Sequence, residues 1–275
     1  MMKNKVVKNF GNVIWYVVVF VLIQVVVELA ASAIWSVVKG QAFDAVSMGM
    51  AQGSYGDLLL TATAVSSVLT IALFAWRRWA PLTRRWLQTR PWASIAWTVV
   101  LALGIILPTQ WVYEQMEIVM PKQMQAMFES IMRYPWGYLV IGILVPIAEE
   151  MVFRGAILRS LLQVFDRRMH WLPIVLSAML FGLIHMNLAQ GIYGFIVGLL
   201  LGWFYYRTGS IFLGLVAHWV NNSVAYVMFN LTPNQDGKLI DLFYGDAKVM
   251  YMALGFSACI ALPALFQLAI RMKRE

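Results

Sequence analysis

Long apolar runs separated by short polar segments set the pattern of this chain. They cover residues 13–38, 58–76, 93–112, 138–160, 172–186, 188–206, 211–229 and 249–270. A membrane-crossing helix needs ~20 apolar residues for ~30 Å of hydrocarbon. The pattern therefore predicts an all-α fold, a polytopic membrane bundle of about eight transmembrane helices. Pro108 stands near the end of the third run, where it can kink the helix, and Pro263 lies inside the last. Between the third and fourth runs the periodicity changes. Met120, Met124, Met127, Phe128 and Ile131 recur at helical spacing among Glu117, Lys122, Gln125, Glu129 and Arg133, so 113–134 is expected to form an interfacial amphipathic helix. Burial of its methionines against lipid or the bundle is the expected reading; an adaptable, substrate-facing surface is the alternative.

Three regions follow. Residues 1–137 hold three spans and the amphipathic helix, 138–230 hold four spans, and 231–275 hold the last. In the sixth span Gly194, Gly198 and Gly202 form a small-residue stripe suited to close helix packing.

Composition agrees with this architecture. Hydrophobic residues make up 61% and charged ones 12%, against about 45–50% and 25% in soluble domains. The net charge of +8 is spread over short loops, which makes it a signal of topology. With eight spans, fifteen of the 21 basic residues fall on the side of the termini, including Lys3, Lys5, Lys8, the arginines from Arg77 to Arg90, Lys273 and Arg274. Five fall opposite and Arg154 lies within a span. That bias predicts a multi-pass integral membrane protein with both termini cytoplasmic, in the plasma membrane if the source is bacterial. Tryptophans interleave the arginines of 76–92, as in some RNA-binding segments, but beside a span they read as a cytoplasmic loop with an aromatic belt; no nucleic-acid partner is expected. The first run, with Ala31-Ser32-Ala33, imitates a signal peptide, yet continues well past that site and reads as a span. The single cysteine, Cys259, cannot form an internal disulfide.

The chemistry concentrates in the fourth run, where Glu149, Glu150 and Arg154 interrupt the apolar pattern. Eleven uncharged residues precede the acids, which puts them roughly 16 Å along the helix at ~1.5 Å per residue. An acid at that depth costs about 2.5–3.5 kcal/mol, so it needs a partner, a wet cavity or a proton. Glu150 and Arg154 are i and i+4 and suit an ion pair. Glu149 points ~100° away and is left facing something else. Glu28, in the first run, reads as an acid near the helix end or facing the bundle, ahead of a substrate or proton role.

Of three histidines, His185 and His218 fall in apolar runs, and His170 sits in a loop beside Trp171. Phe181 is four residues before His185, and Asn222 four after His218, so each pair shares a helix face. Convergence of Glu149, His185, His218 and Asn222 would supply a base, a proton relay and neutral donors for an oxyanion, the parts needed for water to attack a carbonyl. No serine or cysteine nucleophile falls within these motifs, although Ser177 and Ser223 lie nearby, which favours direct water attack over an acyl-enzyme.

Glu149-Glu150-x-x-x-Arg154, Phe181-x-x-x-His185 and His218-x-x-x-Asn222, in this order, resemble the CPBP family of intramembrane endopeptidases, which includes the type II CAAX prenyl endopeptidases and the bacterial Abi proteins. The resemblance implies a bundle of about eight helices with an active site in a membrane cavity. It implies that Glu149 activates water with help from His185, that His218 and Asn222 stabilise the oxyanion or hold the water, and that the substrate is a membrane-anchored peptide or protein, prenylated or not. Glu150, Arg154 and Phe181 match motif positions with orienting roles. Zinc is an open alternative: Glu149, His185 and His218 could ligate it. The chain lacks H-E-x-x-H, and no cofactor is the preferred expectation. A transporter or proton-coupled channel, and a non-proteolytic immunity or scaffold protein, are the competing readings.

Overall fold

The computed structural model of the chain describes residues 2–81, 85–231 and 238–272. Of the basic residues counted for topology, Arg84, Lys273 and Arg274 lie outside the described residues, with the side chains of Lys3 and Arg85. The described residues build a helical bundle with no strand among them. Six of its helices are long and apolar enough to cross a membrane. The first is α1 (Met2–Lys39), which continues through Ala31-Ser32-Ala33 without a break. A short helix, α2 (Phe43–Ala51), occupies what reads in the sequence as a loop, and α3 (Gly56–Trp76) is the second span.

The third span divides into α4 (Trp92–Gly104) and α5 (Ile106–Gln115). Pro108 has no N–H to offer the Gly104 carbonyl, four residues before it, and the helix breaks at that point. Helical bonds resume on either side, from Ile105 N to Leu101 O and from Thr109 N to Ile105 O. The amphipathic helix α6 (Lys122–Met132) is shorter than the 113–134 pattern suggests, because Pro121 starts it and residues 116–121 link it to α5.

The run bearing the acids, α7, is helical from 138 to 161, with wide π turns at Tyr138–Leu144 and Met151–Leu158 around an α-helical segment, Val145–Glu150. Next, α8 (Trp171–Leu183) is only 13 residues long, roughly 20 Å at ~1.5 Å per residue, which is shorter than the ~30 Å hydrocarbon layer. A tight turn joins it to α9 (Leu188–Thr208), where Asn187 caps by accepting from Gln190 N at 2.8 Å. The helix ends at Gly209, whose left-handed φ of 65° closes the last turn onto Tyr205 O. Then come α10 (Phe212–Leu231) and α11 (Ala247–Arg271). Arg207 donates to the Ala269 and Met272 carbonyls, a cation at the C-terminal end of α11.

One of the apolar cores holds α7 in place, and a second joins the helices on the other side of the motif residues. On one side Tyr16 and Phe20 of α1 and Phe74 of α3 pack with Phe153, Ile157 and Phe181. The second core joins α4, α9, α10 and α11 through Leu101, Leu201, Phe204, Leu213 and Leu268. The glycine stripe acts as its spacing predicts. A Cβ at Gly198 would lie 3.1 Å from Ala178 Cβ, and one at Gly202 2.9 Å from Ile174; α9 sits against α8 at a distance only glycines allow.

Candidate active site

The acids fall where α7 changes from α to π turns. Glu150 and Arg154 form the i,i+4 contact, 2.7 Å between Nη1 and Oε1, with 0% and 1% side-chain exposure. Arg154 also donates to Gly198 O at 3.3 Å and lays its guanidinium 4.5 Å from the Phe181 ring centroid. Glu149, 12% exposed, turns away from the pair towards a cavity. One helix thus divides its two acids, Glu150 locked in the protein and Glu149 open to whatever enters.

His218 lies between them. Its Nε2 is 3.5 Å from Glu149 Oε2 and its Nδ1 is 3.3 Å from Glu150 Oε1. A neutral imidazole donates from one nitrogen and accepts at the other. Facing a carboxylate on each side, the ring can give a proton to one and take one from the other. Space for this contact comes from Gly214, one turn earlier on α10: a Cβ there would lie 2.5 Å from Glu150 Oε2.

His185 sits beyond α8, in the turn to α9. The apolar run that suggests a span reaching Met186 ends its helix at Leu183, and Met186 takes a positive φ of 56°. His185 Nδ1 lies 2.9 Å from Phe181 O. A carbonyl only accepts, so Nδ1 carries the hydrogen and the Nε2 of the neutral ring keeps its lone pair. The edge contacts of Phe181 reach both histidines, at centroid distances of 5.3 Å to His185 and 5.9 Å to His218. That ring therefore touches three of the motif side chains, counting Arg154, where the spacing alone ties it to His185.

Asn222 is positioned by a defect in α7. Val145 N bonds to Val140 O in the π register, and the next residue, Pro146, has no N–H for the Ile141 carbonyl. Asn222 Nδ2 takes that orphan at 2.9 Å. Its Oδ1 accepts from Asn221 Nδ2 at 3.3 Å, and Asn221 in turn accepts from Tyr193 OH at 2.6 Å. The amide is oriented, with its second N–H uncommitted to Ile141. Tyr193, Asn221 and Gly214 are not picked out by the sequence reading. The adjacent asparagines in an apolar run, and a glycine four residues before His218, were the available signals.

Glu149, His185, His218 and Asn222 line one cavity of about 560 Å3. Met124, Met127 and Phe128 of α6 line it, while Met127 and Ile131 also pack against the core that α2 and α3 share, so the face serves both bundle and cavity. Glu28 lines it too. The nearby serines are committed to structure, Ser177 donating to Phe153 O at 2.9 Å and Ser223 to Trp219 O at 2.6 Å. As zinc ligands Glu149, His185 and His218 have the right donor types, but the described residues contain no group of three side chains arranged to hold a metal ion. The carboxylate of Glu149 lies 3.5 Å from His218 Nε2.

The motif-bearing segment resembles known protein sequences. Residues 131–224 match the family described as Type II CAAX prenyl endopeptidase Rce1-like. The matched segment is about a third of the chain and contains every motif residue from Glu149 to Asn222. A protein of Bacillus subtilis (strain 168), named "Putative membrane peptidase YdiL", is 27% identical over 104 residues, which are 38% of this chain and 41% of that protein. The chain thus spans less than half the length of this relative. No solved structure matches the chain.

Proposed function

We propose that this protein is an intramembrane endopeptidase that hydrolyses peptide bonds of membrane-associated peptides or proteins with glutamate-activated water. The observation that carries the reading is the opening of Glu149, backed by His218, onto the cavity, while Glu150 and Arg154 beneath it are sealed off. The Rce1-like match over the same residues supports it.

Hydrolysis assigns each group a task. Glu149 takes a proton from water as the water oxygen bonds to the carbonyl carbon of the substrate. The Nε2 lone pair of His185 accepts a hydrogen bond from that water, and the second N–H of Asn222 donates to the developing oxyanion. His218, adjacent to Glu149, then relays the proton to the amide nitrogen as the C–N bond breaks, leaving a carboxylic acid and an amine. Glu150 and Arg154 fix His218 through its other nitrogen and do not touch substrate. The reaction is read as metal-free. Full activity after chelation, with no stoichiometric zinc in the protein, is the expected result; loss of activity restored by zinc would reverse this part of the reading.

Termini of membrane proteins and peptides in cells expressing the native chain, compared with cells expressing Glu149→Gln, test the function. A terminus produced only by the native protein is expected and would name the substrate. Identical termini at equal protein levels would refute proteolysis. The positive-inside bias supports cytoplasmic termini in a multi-pass orientation, which protease protection of tagged ends would check.

A further inference from the structure

Part of the cavity wall comes from helices outside the segment that matches the peptidase family. On α1, Phe20, Gln24 and Glu28 follow at four-residue intervals and line it as one stripe. On α3, Thr63, Ser66, Ser67 and Thr70 form a second stripe at i, i+3, i+4 and i+7. Polar groups in an apolar span are costly unless they face a cavity or a partner, and these line the cavity.

Two hydroxyls of this wall are turned into acceptors. Thr63 donates its hydroxyl hydrogen to Leu59 O at 2.9 Å and Ser66 to Thr63 O at 3.1 Å. Each is left with oxygen lone pairs and no hydrogen to offer. Thr70 is fully buried on the same wall, and its hydroxyl has no partner among the described residues. Glu28 has neither an ion pair nor a hydrogen bond there. The lining contains two carboxylates, Glu28 and Glu149, and no lysine or arginine among the described residues. Acceptors and carboxyl groups with no lysine or arginine among the described lining residues complement a ligand that brings its own cation.

We propose that Glu28 and the α3 hydroxyl stripe form a specificity subsite for a basic side chain of the substrate. The proposal rests on the peptidase reading for the identity of the ligand as a peptide. Phe20 packs edge-on against Phe153, in the same helix as the acids, at 5.7 Å. Glu28 lies two turns further along α1, about 12 Å at ~1.5 Å per residue. Both residues border the cavity onto which Glu149 opens.

A binding measurement separates this proposal from the proteolytic one. The probes are two membrane-soluble leucine-rich peptides, one with lysine and one with norleucine at the same position, titrated onto Glu149→Gln protein in nanodiscs so that neither is cleaved. The lysine peptide is expected to bind about tenfold tighter, within the range of a charge-assisted hydrogen bond. The difference disappears with Glu28→Gln added and survives with Glu28→Asp. Equal binding of the two peptides, or a preference that persists in Glu28→Gln, overturns the subsite. Lysine discrimination by a native protein that cleaves neither peptide retains the subsite and counts against proteolysis alone.

Discussion

Breaking the Glu150–Arg154 pair should be among the most damaging single changes available in this protein, and its cost can be separated into parts. Both side chains are buried, at 0% and 1% exposure, with 2.7 Å between their charged atoms. Removing one partner of such a pair leaves the other charge unpaired in a low-dielectric interior, a loss of about 3–5 kcal/mol. Arg154→Met also gives up the bond to Gly198 O and the contact with Phe181, together about 1–3 kcal/mol. The double variant Glu150→Gln/Arg154→Met leaves no charge stranded. It should retain only the second loss, so the two single effects, each of which strands a charge, should fail to add by about 6 kcal/mol or more. The chain contains its own control. Glu129 and Arg133 have the same spacing and order, 3.3 Å apart, but Arg133 is 68% exposed, and exposed pairs of this kind couple by about 0.3–0.5 kcal/mol. Unfolding free energies of the single and double variants, measured in mixed detergent micelles, give both couplings. Equal couplings at the two sites, or a double variant no more stable than Arg154→Met, would refute the burial argument.

Gly214→Ala should lower cleavage at least tenfold in a folded protein, because its Cβ falls 2.5 Å from Glu150 Oε2 and displaces the carboxylate that holds His218. Gly255→Ala, with nothing within 4 Å, should leave the rate unchanged, and rates of the two variants side by side check the point. Phe181→Leu should reduce turnover more than it reduces the melting temperature, since the aliphatic chain refills the core but offers no ring to Arg154, His185 and His218. Asn222→Ala should destabilise by about 1–3 kcal/mol by leaving the Ile141 carbonyl unpaired. Tyr193→Phe, which removes only the 2.6 Å bond to Asn221, should cost about 0.5–1.5 kcal/mol in the same unfolding measurement.

Much of the helical organisation was legible in the sequence because a membrane span is a local property. Its length and apolarity are counted along the chain without knowing what lies beside it. The i,i+4 relation of Glu150 and Arg154 was legible for the same reason, since one helical turn fixes it. The divergence of Glu149 from that pair follows from the angle between successive residues. Glycines 194, 198 and 202 gave away a close helix contact, though not that its partner was α8. Local reading failed where a short-range signal competed with a longer one. Apolar character carried the fifth run past Leu183, whereas the chain turns there and sets His185 in a loop. The methionine pattern around α6 ran past Pro121, which starts the helix later.

Only the tertiary structure decided which atoms face one another. That His218 stands between both acids, with Gly214 making room, depends on how α10 lies across α7. That Asn222 meets Ile141 requires the carbonyl Pro146 leaves free to lie opposite α10, and sequence positions 146 and 222 contain no record of that. Glu28 shows the limit most plainly: within α1 it is a lone acid in an apolar helix, and its helical face, shared with Phe20 and Gln24, acquires meaning only because α3 and α7 enclose a cavity beside it. Periodicity assigns a residue to a face, but which neighbour that face meets is set by packing among segments far apart in the chain.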